Sequence, residues 1–230
     1  MRNLPDETKY VDGYLDSIAI HALSGSIDDT WADTELNPRQ QTAVYGCMPV
    51  PRQGDNYGDR DGRRVKYKKL IIKGYIYWNG LDSDTPPTQQ GHVRIVIVRD
   101  KRTNGVALAG ENVIGAGLGS DGQNTLSGDA GAINFCTNPD GWGRYKVLYD
   151  KVFRPPTSAA YGDFDANAGN LVATVTPFKI SLKTNFYVNF CETSGTVAAV
   201  VDNSIHLLAA QLSGDQVANL CYYARQSFIG

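Results

Sequence analysis

Histidine, methionine and cysteine are all scarce in this chain. Its 230 residues include three histidines, two methionines and four cysteines. His21, His92 and His206 lie far apart, and none has a neighbour at metal-ligand spacing. A G-x-S-x-G nucleophile elbow and a catalytic-cysteine signature are both missing. No carboxylate spacing singles out a hydrolytic pair. The expectation is therefore no catalytic residue, no metal site and no cofactor, with His206 in Ser204-Ile205-His206-Leu207-Leu208 packed at a core edge. Cys47, Cys136, Cys191 and Cys221 have neither zinc-site pairing nor the density of a disulfide scaffold. Three of them adjoin Phe135, Phe190 and Tyr222, and all four are expected as buried thiols behaving as small hydrophobes.

Long apolar runs are also lacking. None approaches the about 20 residues of a bilayer span, so no membrane insertion is expected. The N-terminus has no secretory h-region and no asparagine lies in a glycosylation sequon, which together predict a soluble intracellular protein. Helix signals are weak, with only a short turn expected at 138–141.

Two motifs fail on context. Gly117-Leu118-Gly119-Ser120-Asp121-Gly122 matches a dinucleotide fingerprint, but the polar, glycine-broken stretch after it cannot form the packed helix that fold needs. Asp163-Phe164-Asp165-Ala166-Asn167-Ala168-Gly169 resembles the start of a calcium loop. Its glycine is one place late and Thr174 stands where the bidentate glutamate belongs, so a surface turn is expected, with a loose calcium site as the alternative.

What the chain does have is strands. Apolar residues make up 42% and charged residues 20%, a globular composition. Short runs rich in valine and tyrosine, separated by turn residues, are predicted at 10–22, 63–78, 93–99, 144–153, 171–182, 186–191, 204–212 and 220–229. Residues 24–62 read as an ordered surface loop anchored by Trp31, Tyr45 and Met48. The glycine-rich stretch 105–143 reads as a long connection of the kind that serves function or an interface. Eight strands with long, uneven connections predict an all-β fold, a single jelly roll of antiparallel strands in two sheets. The whole chain, 1–230, is expected to be one domain, with an N-terminal strand and loop over 1–62 and the core strands over 63–230.

One strand is strongly basic. Arg63, Arg64, Lys66, Lys68, Lys69 and Lys73 are interleaved with Val65, Tyr67, Tyr75 and Tyr77. Cations with aromatics on a strand suit single-stranded nucleic acid, although lysines on an exposed strand also keep its edge soluble. The net charge of −2 and pI near 5.9 are not those of a nucleic-acid binder as a whole. From Leu70 onward the even positions are expected to face the core and Lys69, Lys73 and Tyr75 to face away, with the first part of the strand fully solvated. A bulge near Lys68-Lys69 would exchange the two faces.

Several phrases, in one order, resemble the capsid proteins of circular single-stranded DNA viruses of the circovirus- and geminivirus-like group. Pro49-Val50-Pro51-Arg52-Gln53-Gly54, followed by Arg60-Asp61-Gly62-Arg63, is similar to that family's run-in to its first core strand. The stretch from Val93 to Lys101 is similar to its apolar second strand. Arg144-Tyr145-Lys146-Val147-Leu148-Tyr149-Asp150-Lys151 resembles its most recognisable strand. Val201-Asp202-Asn203-Ser204-Ile205 and Tyr223-Ala224-Arg225-Gln226-Ser227-Phe228 resemble its last two.

The resemblance spans about three-quarters of the chain. It implies a jelly roll that self-assembles into an icosahedral shell of about 60 copies. Such a shell would enclose circular single-stranded DNA, with synthesis in the host cytoplasm, assembly in the nucleus, and a host receptor the sequence does not identify. Sequence-independent contacts to DNA are then expected from Arg63, Arg64, Lys66, Lys68, Lys69 and Lys73, with Tyr75 or Tyr77 stacking a base and Arg225 next in line. Members of the family usually begin with an arginine-rich arm, and Met1-Arg2-Asn3-Leu4-Pro5-Asp6-Glu7 is not one, so either an arm has been removed or this member packages DNA without one. This chain is therefore expected to assemble while packaging little nucleic acid. The rival reading is a carbohydrate-binding jelly roll with Trp31, Trp142 and Tyr161 as stacking platforms; a jelly-roll enzyme is disfavoured by the missing metal constellation.

Overall fold

Alternation of apolar and polar side chains sorts the chain into strands, and the buried set of each strand decides which way it faces. The computed structural model describes residues 7–20, 32–33, 47–78, 92–108, 113, 141–154, 174–211 and 218–230. Their strands are β1 (Thr8–Ile20), β2 (Ala32–Asp33), β3 (Arg64–Trp78), β4 (Val93–Asp100), β5 (Tyr145–Phe153), β6 (Thr174–Asn189), β7 (Ser204–Gln211) and β8 (Ala218–Ile229). They form two four-stranded sheets, ordered β1-β8-β3-β6 and β2-β7-β4-β5. Every pairing is antiparallel. Pairing first with last, second with seventh, third with sixth and fourth with fifth is what one long hairpin ribbon makes. Rolling that ribbon brings β3 against β8 and β4 against β7. The fold is all-β and jelly-roll-like, as expected.

The core lies between the sheets. Leu70, Ile72 and Ile76 of β3 meet Ile95 and Ile97 of β4 and Leu207 of β7, all fully buried. Gly74 falls among the inward positions of β3, and a side chain there has no room. A Cβ would come within 2.2 Å of the Cys221 carbonyl and 2.8 Å of the Phe178 ring.

Several expectations change. The described part of the stretch read as two strands, 171–182 and 186–191, forms the single strand β6, which ends at Asn189. Asn185 takes φ of 44°, a left-handed conformation asparagine tolerates, and the strand carries on through it. β2 lies inside the segment expected to be loop. The first part of β3 is not fully solvated, because Val65 and Tyr67 are buried. Cys47 and Cys221 are buried as expected, but Cys191 is exposed. Phe190 takes the inward place, and alternation turns its neighbour outward. Met48 is a buried anchor whose backbone N–H donates to Ile205 O. Trp31, Tyr45, Cys136, Tyr161, the 117–122 and 163–169 motifs and most of the 105–143 connection lie outside the described residues.

The recognisable phrases turn out to be polar clamps. Arg144 forks onto Asp100 at 2.9 and 2.8 Å, and Arg94 forks onto Asp150 at 2.8 and 2.6 Å, so β5 is fastened to β4 at two points. Arg60 is buried with its guanidinium 4.1 Å from the Phe190 ring centroid, donating to the carbonyls of Pro51, Gly62 and Glu192. Asp202 accepts from the backbone and side chain of Asn189, while Arg99 donates to Asn203.

Candidate nucleic-acid interface

β3 cannot present all its cations on one face if it alternates strictly, because Arg64, Lys66 and Lys68 are even and Lys69 and Lys73 odd. The register shifts between Tyr67 and Lys69 against both neighbouring strands. The buried set changes from Val65 and Tyr67 to Leu70, Ile72 and Ile76 across that bulge. All five cations therefore lie on the side turned from the core, four exposed and Lys66 half-buried. The extra residue disturbs the ladder, and β8 compensates. Gln226 Nε2 at 3.2 Å and Ser227 Oγ at 3.1 Å both donate to Lys69 O.

β6 adds what sequence reading missed. Lys183 stands directly opposite Lys69, and Lys179 directly opposite Lys73. All four lysines are exposed, and among the described residues none is paired with a carboxylate. Like charges directly opposite on a sheet destabilise it, so this face carries repulsion that no described carboxylate relieves. The signal was present in the sequence, since Phe178-Lys179-Ile180-Ser181-Leu182-Lys183 repeats the four-residue lysine spacing of β3.

Aromatic rings lie among these charges. The Arg64 guanidinium sits 4.0 Å and the Lys66 ammonium 5.6 Å from the Tyr187 ring centroid. Tyr75 is exposed and Tyr77 half-buried beside it, their centroids 6.0 Å apart. Tyr10 and Tyr14 of β1 and Tyr223 of β8 are exposed on the same side. Arg63 is exposed where the chain enters β3. Arg225 is differently placed, because Asp12 engages its guanidinium at 2.7 Å through both oxygens and it donates to the Tyr223 hydroxyl at 3.0 Å. The Arg225 hydrogen bonds hold the Asp12 carboxyl below its usual range.

No family model and no curated protein matches the chain. The weight therefore rests on geometry and charge. β3 carries Arg64, Lys66, Lys68, Lys69 and Lys73 and no carboxylate, and β6 carries Lys179 and Lys183 and no carboxylate, so positive charge is concentrated on these two strands although the chain's net charge is −2.

His206 has a close hydroxyl partner. Ser204 Oγ lies 2.6 Å from its Nε2 and 2.6 Å from Thr103 Oγ1. All three residues are buried, so the chain of hydrogen bonds ties β7 to the turn after β4.

Proposed function

We propose that this protein is the coat protein of a small single-stranded DNA virus, the kind its phrases resemble. Copies of the chain close into an icosahedral shell, and the open face of the β1-β8-β3-β6 sheet binds the enclosed DNA without reading its sequence. The observation that carries this is the pair of lysine pairs, Lys69 with Lys183 and Lys73 with Lys179. An open face that keeps like charges opposite one another is accounted for by an anionic partner that relieves them. Exposed tyrosines among the cations favour a single strand, whose bases are free to stack. β3 and β6 contain cations and no carboxylate, so positive charge is concentrated there while the whole chain stands at −2.

The test is particle formation. Electron microscopy of the purified protein near neutral pH and moderate salt is expected to show uniform closed spheres. A protein that stays monomeric across salt and pH would overturn the reading. Exposed Trp142 favours the alternative, a carbohydrate-binding module. That module would elute as a monomer or small oligomer, and it leaves the opposed lysines unexplained.

A further inference from the structure

The open face is not uniform, and its two halves differ in chemistry. On the β3–β6 half the exposed charges at its centre are Lys69, Lys73, Lys179 and Lys183, with no carboxylate paired to them among the described residues, and Tyr75 and Tyr187 are exposed towards its two ends. On the β1–β8 half the central charges, Asp12 and Arg225, neutralise each other at 2.7 Å. What remains there is ring surface, with Tyr14 at 57% and Tyr223 at 40% exposure. The register joins the halves in one row across four strands. Tyr14 pairs with Tyr223, Tyr223 with Lys73, and Lys73 with Lys179. Adjacent strands are about 4.8 Å apart, so rings and ammonium groups sit side by side at the scale of one nucleotide.

We infer that the face binds single-stranded nucleic acid with a fixed sidedness, its phosphates over β3 and β6 and its bases stacked on Tyr14 and Tyr223 over β8 and β1. This rests on the nucleic-acid reading above and goes beyond it by assigning a base-stacking platform to residues outside the basic strand. Phosphates are held there by ammonium groups that no described carboxylate pairs. The tyrosines lie beside a closed ion pair that repels neither base nor backbone. Stacking on a ring tolerates every base, so the platform adds affinity without sequence preference.

The experiment compares a thymidine oligonucleotide with an abasic oligonucleotide of the same length, which keeps the phosphates and lacks the bases. The native protein is expected to bind the thymidine strand at least about tenfold more tightly, the scale of one stacked base. Tyr14→Ala with Tyr223→Ala is expected to abolish that preference while leaving the salt dependence of abasic binding intact. Tyr14→Phe with Tyr223→Phe is expected to retain the preference, which separates loss of the ring from loss of fold. Lys73→Gln with Lys179→Gln is expected to weaken both ligands and flatten the salt dependence of both. Equal binding of the two strands by the native protein would overturn the platform and leave the phosphate contacts standing. A preference that survives Tyr14→Ala with Tyr223→Ala would place the bases elsewhere. Binding of neither strand would overturn the nucleic-acid reading itself.

Discussion

On the outer face of the β2-β7-β4-β5 sheet, Val96, Val98, Leu208 and Ala210 pack under Leu108 and Val113 from the connection that follows β4. On the outer face of the other sheet, lysines and tyrosines stand open. Among the described residues the two sheets have four strands each and the same antiparallel pairing. They differ in what the outward half of each alternation contains. β4 reads Val-Arg-Ile-Val-Ile-Val and is apolar on both sides, so it has to be covered twice. β3 and β6 are apolar on one side and cationic on the other, so they are covered once. Charge follows the same division. Arg94 of β4 is matched to Asp150 of β5 and Asp100 of β4 to Arg144 just before β5, in forked pairs, whereas Lys69 and Lys73 of β3 face Lys183 and Lys179 of β6 with no described carboxylate between them.

Breaking a matched pair should have the largest effect. Asp100 is fully buried beneath Arg144. Arg144→Leu leaves that carboxylate without its counter-ion and is expected to cost about 3–5 kcal/mol in urea unfolding. Apolar truncation comes next and contrasts the faces directly. Leu208→Ala under the covering segment is expected to cost about 2–5 kcal/mol, while Ile71→Ala, half-exposed on the open face, should stay within about 1 kcal/mol. Similar losses at both positions would mean that the open face is covered too.

The unmatched charges should respond with the opposite sign. Lys73→Gln with Lys179→Gln removes one opposed pair and is expected to stabilise the free protein by up to about 1 kcal/mol while weakening nucleic-acid binding. A loss of stability would show that the lysines are neutralised within the protein. The smallest effect concerns Asp12. Its folded pKa is lowered, first by the hydrogen bond from Arg225. The pair's contribution to stability is therefore complete above the ordinary value of 3.8 and is lost as pH falls through the lowered folded value. Asp12→Asn is expected to remove that acid-limb loss in a pH titration of stability and to leave Arg225 free for phosphate.

The strands were legible wherever one face is apolar. β4 announces itself by β-branched residues, and the bulge of β3 was foreshadowed by the change of parity between Lys66 and Lys69. β2 was not, because two residues carry no period. The join of 171–182 to 186–191 was hidden because Asn185 reads as a turn, and only its backbone shows that the strand passes through. At the candidate site, β3 was readable as one chemical run. Its partners were not, since Lys179 and Lys183 come more than a hundred residues later and only register places them opposite Lys73 and Lys69. The commitment of Arg225 to Asp12 was invisible for the same reason, as the two are 213 residues apart.

The salt dependence of single-stranded DNA binding tests the open cationic face most directly. Each neutralised phosphate adds about −0.7 to the slope of log K against log salt for single strands. Replacing Lys69, Lys73, Lys179 and Lys183 together by glutamine is therefore expected to make the slope shallower by about 3 units, with the fold intact by circular dichroism. An unchanged slope in that folded variant would contradict the assignment of this face.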